Sequence, residues 1–354
     1  MSEKINVGLI GFGMGGQIFH APIISCVEGF ELKAIQTSNK ENIEIAKRKY
    51  PDAEIFSETS ALLDRKDIDL IIVATPNYTH FDLAKAALLA DKHVVMDKPF
   101  TAKFSEATEL IVLAKSQNKI LTVHQNRRWD SDFLTVRKVL TSNLLGRLVE
   151  AEIHYDRFRN TLRENTWKED DVYGTGILFD LGSHLIDQAQ TLFGLPTALT
   201  ADIRKQRIAS RIADNFELIL HYPDLKVTLK GGWLVREPLP HFILLGEQGS
   251  FVKYGMDVQE DALKFGATPL NTNNWGAESR DIWGKINTEF NGVHFVGEVE
   301  SEAGDYSLYY KNVRDAILGK SELEVTANQA ANTIKIIELA IKSNEEKRTV
   351  DFDI

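Results

Sequence analysis

The sequence predicts an α/β domain built on a doubly wound parallel sheet, followed by an α+β domain with a large, mostly antiparallel open sheet. Three observations lead to this prediction. The chain has 354 residues, more than one hydrophobic core usually serves. Its first third alternates short β-branched runs with helix-length amphipathic segments, and after about residue 125 long segments of period two replace that alternation. We therefore predict a first domain at 1–125 and a second at 126–354.

Strands and helices alternate in the first domain. The predicted strands cover 5–10, 32–37, 70–75, 94–96 and 120–123, and the predicted helices cover 17–27, 41–49, 79–90 and 104–117. Strands separated by helices imply a parallel sheet with helices on both faces. The runs LIIVAT and HVVM are almost entirely apolar, which suits strands that are buried on both sides.

The second domain is predicted to be α+β. Its period-two segments cover 149–158, 216–222, 227–235, 242–247 and 286–299, and its helices cover 130–142, 180–193, 304–318 and 328–343. The last helix is expected to pack back on the first domain. The sheet is expected to have an apolar outer face, because strands such as VTLKGGWLV supply apolar residues. An uncovered face of that kind favours a homodimer or homotetramer.

Composition excludes several classes of protein. Lys and Arg total 41 against 51 Asp and Glu, a net charge of -10, so we expect no nucleic-acid or membrane-surface partner. The single cysteine, Cys26, allows no internal disulfide, and we expect no metal site. No apolar run approaches the ~18 residues of a membrane span, and the N-terminus lacks the pattern of a signal peptide. We expect a soluble, cytoplasmic protein.

A glycine-rich turn follows the first predicted strand. The sequence there reads Gly11-Phe12-Gly13-Met14-Gly15-Gly16 and continues into a helix, which is a GxGxxG pattern in the context that it requires. The first glycine permits a tight turn, the second lets the backbone approach a pyrophosphate, and the third allows close helix packing. The pattern predicts a Rossmann dinucleotide site with contacts from Gly11, Phe12, Gly13, Met14 and Gly16.

The end of the second strand indicates which dinucleotide binds. Sites that prefer NAD usually offer Asp or Glu about 20 residues beyond the glycines. Here the sequence reads QTSNK, and no carboxylate precedes Glu41. Thr37, Ser38 and Lys40 suit a 2′-phosphate, so we predict NADP as the preferred cofactor, with NAD possible. The alternative is an exposed polar loop without a role, which explains Lys40 equally well.

Thr75, Pro76 and Asn77 close the strand at 70–75, and His80 follows them. Loops at the carboxyl ends of parallel strands line the ligand crevice of such sheets. We therefore expect these four residues to contact the cofactor. A capping or packing role is an equal alternative for His80.

Lys98 follows the next strand in the tripeptide Asp97-Lys98-Pro99. A residue before proline favours extended geometry, so Lys98 is expected to project into the crevice beside the nicotinamide. There it would contact the cofactor and hydrogen-bond or protonate a substrate oxygen. The alternative is a surface lysine paired with Asp97.

The segment DLGSHLID places three polar residues on one helix face. Asp180 and His184 are four residues apart, and Asp187 lies three residues beyond the histidine. A carboxylate beside an imidazole can orient it and tune its pKa, as a general base for an alcohol proton requires. The alternative is a capping aspartate with a hydrogen-bonded core histidine.

Taken together, GFGMGG, TPNxxH, DKP and DLGSHLID resemble the Gfo/Idh/MocA family of glucose-fructose oxidoreductases and inositol dehydrogenases. The likeness covers essentially the whole chain. It implies a Rossmann domain followed by an open antiparallel sheet, with Lys98, Asp180 and His184 as the catalytic trio. The family more often has Glu where Asp97 stands, a conservative departure.

A narrower likeness concerns the substrate. The segments at 19–22, 126–133, 156–159 and 192–196 resemble a bacterial branch that includes NADP-dependent scyllo-inositol dehydrogenases. This implies oxidation of a ring hydroxyl of a cyclic polyol or sugar, or reduction of the matching ketone. Candidate substrate residues are Asn126, Arg127, Arg157, Arg163 and Trp167, with Lys168 beside them. A solvated loop or structural ion pairs, including pairs made by Arg128, are the alternatives.

The function predicted from the sequence is therefore NADP-dependent hydride transfer to or from a polyol or sugar ring. The sequence leaves open the substrate, the direction and whether Lys98 or His184 transfers the proton. Two alternatives come from related functions: a non-catalytic nucleotide-sensing regulator, and an NAD-dependent glycosidase that recycles its cofactor.

Overall fold

The computed structural model describes residues 4–163, 166 and 169–353. The chain forms two compact units. Unit 1 comprises Met1–Asn126, Gln259–Trp275 and Asp305–Asn332, and unit 2 comprises Arg127–Val258, Gly276–Gly304 and Thr333–Ile354. The single boundary predicted after residue 125 does not account for the two later segments of unit 1. One contact that holds them is the hydrogen bond from Thr122 Oγ1 to the Val325 carbonyl, at 2.7 Å.

A six-stranded parallel sheet forms the centre of unit 1, in the order β3-β2-β1-β4-β5-β6. The strands are β1 Ile5–Ile10, β2 Phe30–Gln36, β3 Glu54–Phe56, β4 Leu70–Val73, β5 His93–Met96 and β6 Leu121–Val123. The predicted doubly wound parallel sheet is confirmed. Every residue of β4 is fully buried, as its continuous apolar run indicates. The short β3, which has only three residues, was not predicted.

Helices connect these strands. They are α1 Ala21–Ile24, α2 Lys40–Lys49, α3 Thr59–Leu63, α4 His80–Leu89 and α5 Phe104–Ser116. The helix predicted over 17–27 is a π-helical turn, Gly15–His20, that leads into the short α1. Pro22 lies at the start of α1, where it has no N–H for a bond to the preceding turn. That missing donor explains why one regular helix does not run through the segment.

Unit 2 is organised around a nine-stranded sheet in the order β14-β13-β12-β11-β7-β10-β9-β8-β15. The strands are β7 Leu148–Asp156, β8 Ala198–Arg204, β9 Asn215–His221, β10 Lys226–Gly232, β11 Phe242–Gly246, β12 Gly249–Lys253, β13 Gly284–Phe290, β14 Val293–Val299 and β15 Val350–Asp351. Pairing is antiparallel except between β7 and β10, so the predicted large, mostly antiparallel sheet is confirmed.

The segment predicted as one strand over 286–299 is a hairpin. Asn291 and Gly292 separate β13 from β14, and both have positive φ, 52° and 78°. An Asn-Gly pair between two β runs is the strongest short-range signal for a two-residue hairpin turn. The sequence therefore contained the turn signal that the single-strand prediction overlooked.

The remaining helices are α6 Ser131–Thr141, α7 Ser183–Phe193, α8 Gln259–Lys264, α9 Ser307–Ile317 and α10 Ala327–Glu346. Helices α6 and α7 belong to unit 2, whereas α8 and α9 belong to unit 1. The last helix, α10, is divided between the units after residue 332. In unit 2, α7 packs on β7 and β10, and buries Leu185, Ile186 and Ala189.

The two faces of the unit 2 sheet differ in character. On β7 the residues Ala151, Ile153 and Tyr155 are buried on the side of α7. The alternate residues Glu152 and His154 occupy the opposite face, where other charged side chains join them. The ion pairs on that face are Lys226–Glu150, Lys230–Glu152, Lys230–Glu217, His154–Glu152 and His154–Asp156.

The predicted apolar outer face is therefore wrong for these central strands. Val227 and Leu229 of VTLKGGWLV pair in register with Ala151 and Ile153 and point to the same, helix-covered side. Because side chains alternate along a strand, the apolar side chains that β10 contributes from that segment, Val227 and Leu229, lie on the inner face.

None of the helices in the described part of the chain combines the length and the apolar character that crossing a bilayer requires. A cytoplasmic location stays a prediction.

Candidate active site

The glycine-rich turn between β1 and the first helical turn has the geometry of a dinucleotide cradle. Gly11 has φ +92°, and a Cβ there would lie 2.5 Å from the Ala74 carbonyl oxygen. A Cβ at Gly16 would lie 2.3 Å from the Gly11 carbonyl oxygen. At Gly13, by contrast, no described atom lies within 4 Å of an added Cβ. The protein's own packing thus explains Gly11 and Gly16, and leaves open space at Gly13.

The open space at Gly13 bears on whether a dinucleotide fits this turn. A glycine whose side-chain position meets only open space at a helix entrance fits close backbone approach to a pyrophosphate. The first N–H groups of a helix have no partner within it and favour an anion at the helix entrance. The residues present fit the cofactor.

Phe12 and Met14 were both predicted to contact the cofactor, and they differ in environment. Phe12 is 1% exposed and its ring meets Tyr50 edge-on, with centroids 6.0 Å apart. Its side chain therefore belongs to the core, and its carbonyl accepts a hydrogen bond from Gln17 Nε2 at 2.8 Å. Met14 is exposed and remains a candidate for contact through its side chain.

The carboxyl end of β2 presents polar groups and no acid. Thr37 is buried, and its N–H donates to the Phe56 carbonyl at 2.9 Å. Asn39 caps α2 by accepting a hydrogen bond from the Asn42 N–H at 3.0 Å. Ser38 and Lys40 are exposed, and no described carboxylate forms an ion pair with Lys40. A cation beside the start of α2 favours a phosphate there.

The loop after β4 packs against His80. Asn77 is buried in a 3-10 turn, and the Thr75 and Thr79 hydroxyls lie 2.7 Å apart. His80 is fully buried, with Nε2 3.0 Å from the Thr75 carbonyl and Nδ1 2.9 Å from the Pro99 carbonyl. Burial lowers the pKa of His80, although Asp97 and these carbonyls oppose that shift.

His80 thus ties the loop after β4 to the loop after β5. A fully buried ring whose two nitrogens face backbone carbonyls fits the packing alternative better than direct cofactor contact. Pro76 and Thr75 remain half-buried at the same edge of the sheet.

Lys98 is half-buried at the carboxyl end of β5. Its backbone N–H donates to Asp97 Oδ1 at 2.8 Å. The other oxygen, Asp97 Oδ2, lies 3.7 Å from His20 Nε2. Lys98 therefore stands at the same sheet edge as the glycine-rich turn, the end of β2 and the loop after β4, as predicted for parallel strands.

Asp97 also has the donor set of a metal site, together with two histidines. The nearest ligand atoms of His20, Asp97 and His124 lie within 4.8 Å of one another, the one such group among the described residues. Lys98 is close enough to influence the pKa of Asp97 and His124. The neighbouring Lys98 ammonium disfavours a bound cation, and the absence of a metal stays a prediction.

Asp180 and His184 lie on consecutive turns in unit 2. A π-helical turn, Leu178–Gly182, carries Asp180 and leads directly into α7, which carries His184 in its first turn. Asp180 is half-buried and His184 is 5% exposed. Asp187, predicted to share their helix face, forms a bidentate ion pair with Arg128.

Two of the predicted substrate arginines pack against Tyr155. The Arg127 and Arg157 guanidinium carbons lie 5.1 and 5.2 Å from the centre of that ring. Arg127 also pairs with Asp130 at 3.1 Å, and both side chains are buried. Arg127 and Arg128 thus form the structural ion pairs that the sequence offered as the alternative.

The other predicted substrate residues are dispersed. Asn126 is buried in a 3-10 turn at the end of the first segment of unit 1. Arg163 is half-buried, and its backbone N–H donates to Glu169 Oε1 at 3.2 Å. Trp167 and Lys168 lie outside the described residues.

Sequence reasoning did not identify a second aromatic and arginine group in unit 2. Arg207 lies 4.2 Å from the centre of a ring of Trp233 and forms buried ion pairs with Glu169 and Asp214, both at 2.9 Å. Arg159 approaches the same tryptophan at 5.9 Å. Burial and the neighbouring arginines lower the pKa of Arg159. In the sequence, the signal for this group was the segment Phe158-Arg159-Asn160, which follows Arg157.

Two family models match the chain in succession. The model described as "Oxidoreductase family, NAD-binding Rossmann fold" matches residues 5–125, and "Oxidoreductase family, C-terminal alpha/beta domain" matches residues 137–352. The chain belongs to the Gfo/Idh/MocA oxidoreductase family. The resemblance seen in the sequence is confirmed, and residues 5–125 form an NAD(P)-binding Rossmann domain.

Relatives in this family match over the whole length. The uncharacterized oxidoreductase YdgJ of Escherichia coli is 44% identical, with 99% of each chain covered. The scyllo-inositol 2-dehydrogenase (NADP(+)) IolW of Bacillus subtilis is 38% identical, covering 98% of this chain and 96% of its own. The solved structure of the Bacillus subtilis protein yvaA has a TM-score of 0.94 at 36% identity, covering 100% and 99% of the two chains.

Proposed function

We propose that this oxidoreductase is an NADP-dependent dehydrogenase that interconverts a ring hydroxyl of a cyclic polyol or sugar, such as scyllo-inositol, with the matching ketone. The acid-free end of β2 carries the cofactor assignment, because Ser38 and the exposed Lys40 stand where an NAD site would offer a carboxylate. The name of the relative IolW, which specifies both NADP and scyllo-inositol, supports the same assignment.

The proposed chemistry is reversible hydride transfer, for which the bound nicotinamide supplies the hydride acceptor or donor. His184 removes or returns the hydroxyl proton as general base or acid. Lys98 donates a hydrogen bond to the substrate oxygen and stabilises the negative charge that develops on it. Asp180 orients the histidine from the preceding turn. Lys98 and His184 are both candidates for the net proton transfer.

Two arginines of unit 2 are proposed to bind the polyol or sugar. Arg157 and Arg159 are half-buried, and no described carboxylate forms an ion pair with either. Their guanidinium carbons lie 5.2 Å from the centre of the buried Tyr155 ring and 5.9 Å from that of the buried Trp233 ring, which position the two arginines. The several N–H donors of a guanidinium suit a ring that carries several hydroxyl groups.

A substrate panel tests this proposal. Inositols, inososes and aldoses would be assayed with NADP and NAD, in both directions, by nicotinamide absorbance. We expect net NADPH formation with an inositol or an aldose and the reverse with its ketone. Cofactor binding without net turnover on any member would favour the nucleotide-sensing alternative, and glycoside cleavage without net turnover would favour the glycosidase.

We also propose that the protein forms a homodimer or homotetramer through the unit 2 sheet, with a second copy of the chain as the partner. Phe290, Val293, Phe295 and Val296 at the β13–β14 hairpin are 44% to 65% exposed. Clustered exposed apolar residues of this kind are typical of interfaces. Light scattering tests the assembly, and a stable monomer would contradict it.

A further inference from the structure

A buried polar cluster in unit 1 stands beside Lys98 and has no role in the chemistry proposed above. It joins four elements of the unit: the first helical turn, the ends of β5 and β6, and α9. Its members are His20, Asp97, His124, Tyr309 and Tyr310. His20 and Tyr310 are fully buried.

The strongest contact in the cluster joins residues that are 290 positions apart in the chain. His20 Nδ1 lies 2.6 Å from the Tyr310 hydroxyl. Burial raises the pKa of Tyr310 well above its usual range, and Tyr309 and Asp97 add to that effect. The phenol therefore keeps its proton and can donate it to Nδ1. A neutral imidazole that accepts at Nδ1 carries its own proton at Nε2.

The Nε2 atom of His20 faces the Asp97 carboxylate, which also lies against the Lys98 N–H and the backbone at Gly15. Asp97 Oδ2 lies 3.7 Å from that Nε2 atom, and Oδ1 accepts the Lys98 N–H at 2.8 Å. A Cβ added at Gly15 would lie 2.9 Å from Oδ2, so the first helical turn closes the remaining side. Burial acts to raise the pKa of Asp97, but His20, His124 and Lys98 hold it well below its usual range.

The other ionisable neighbours leave Asp97 as the charged partner of Lys98. His124 stacks on His20 with ring centres 4.4 Å apart. Burial lowers the pKa of His124 far below its usual range, and the Lys98 ammonium adds to this although Asp97 opposes it, so its ring is neutral. His80 lies beyond Asp97, and burial lowers its pKa too.

We propose that Tyr310 and His20 are positioning residues that orient Asp97, because Tyr310 contacts His20 and His20 faces Asp97. In this orientation the Asp97 carboxylate fixes the Lys98 backbone and holds a negative charge beside the Lys98 amine. This inference rests on the proposed function, because it assumes that Lys98 contacts the substrate oxygen. It also gives a physical reason for Asp97: the short carboxylate fits between Gly15 and His20.

Variants of neighbouring tyrosines provide a matched test. Tyr310→Phe removes the hydroxyl that faces His20. The control Tyr309→Phe removes the hydroxyl of the adjacent tyrosine, which lies 3.4 Å from Thr122 Oγ1. We expect kcat to fall about fivefold in Tyr310→Phe, the scale of one lost hydrogen bond, with KM and NADP binding within about twofold of wild type. Tyr309→Phe should match wild type.

Asp97→Asn keeps the shape and removes the charge. We expect kcat to fall by about tenfold or more. Unchanged kcat in both Tyr310→Phe and Asp97→Asn, whatever their melting temperatures, would show that the cluster is structural only and would overturn the proposal.

A measurement that needs no turnover separates this proposal from the proposed function. Nitrogen NMR of the His20 ring should show its proton on Nε2 in wild type and loss of that fixed tautomer in Tyr310→Phe. A proton on Nδ1 in wild type would overturn the proposal. Absence of turnover with every polyol would refute the proposed function. The NMR measurement would still show whether Tyr310 fixes the His20 tautomer.

Discussion

Arg128 and Asp187 form a buried, bidentate ion pair in unit 2, with Nε to Oδ2 at 2.8 Å and Nη2 to Oδ1 at 2.7 Å. Both side chains are at most 5% exposed. The pair joins the turn before α6 to the middle of α7, the helix that carries His184. Asp187 is therefore an anchor of that helix and is not available as a third acid–base group.

Removing one partner of this pair should be costly. Asp187→Ala removes the carboxylate that forms the bidentate pair with the buried Arg128 guanidinium, so we expect a loss of about 3–5 kcal/mol in the free energy of unfolding. The matched control is Asp170→Ala, which breaks the exposed Arg211–Asp170 pair and should cost no more than about 1 kcal/mol. Urea unfolding measures both. Equal losses in the two variants would contradict the anchoring role.

Two alanine substitutions in the glycine-rich turn should affect different properties, one the stability of the protein and the other its affinity for NADP. Gly16→Ala places a Cβ 2.3 Å from the Gly11 carbonyl oxygen, so it should lower the melting temperature of the protein alone. Gly13→Ala meets open space and should leave that temperature near the wild-type value, while NADP binding weakens by about tenfold or more. Calorimetry without cofactor and fluorescence titration with it measure the two effects. Normal NADP affinity in Gly13→Ala would place the pyrophosphate elsewhere.

Lys40 should discriminate between the two dinucleotides. We expect Lys40→Ala to lower kcat/KM for NADP about tenfold and to leave the value for NAD unchanged, because only NADP carries the 2′-phosphate. Lys49→Ala, which removes an exposed lysine at the other end of α2, serves as the control. A wild-type enzyme with a clear preference for NAD would overturn the cofactor assignment.

The proposed acid–base groups should be essential for turnover. Lys98→Ala and His184→Ala are each expected to lower kcat by at least ~100-fold, the usual scale for a positioned acid or base. Lys115→Ala and His294→Ala remove exposed residues of the same types and should retain wild-type kcat. Near-normal turnover in both Lys98→Ala and His184→Ala would refute the assignment.

His154 should make stability depend on pH. Burial lowers the pKa of His154, but its bonds to Asp156 at 3.1 Å and Glu152 at 2.9 Å outweigh burial and raise the pKa above its usual value. A raised folded-state pKa means that protonation stabilises the fold. That stability is complete below the unfolded-state pKa of about 6.5 and is lost as pH rises through the higher folded-state value.

Melting temperatures measured from about pH 6 to 8 test this effect. Wild type should lose stability across that range relative to His154→Gln, which cannot titrate. Parallel curves for the two proteins would show that His154 does not titrate in this window.

Much of unit 1 could be predicted from local sequence. Continuous apolar runs identified β4 and β5, and the GxGxxG pattern identified Gly11 and Gly16 as positions where a side chain would collide. These features depend on residues close together in the chain, where periodicity and backbone conformation decide the structure. The hairpin turn at Asn291 and Gly292 was equally local, although the prediction overlooked it.

Partners of charged residues could not be predicted in the same way. Asp187 has the spacing of a residue that shares a helix face with His184, yet Arg128, 59 positions away, takes up its carboxylate. The charged outer face of the unit 2 sheet likewise depends on which of two alternating sets of side chains α7 covers. Sequence periodicity shows that two faces differ, but packing decides which one is buried.

The sequence by itself determined the alternation of strands and helices in the first domain, the dinucleotide cradle and the family, because each depends on short-range pattern. Only the tertiary structure decided that residues 259–275 and 305–332 return to unit 1 and that Tyr310 meets His20 across 290 positions. The physical reason is that the stability of such a contact comes from the packing of several distant segments at once, which no local pattern records.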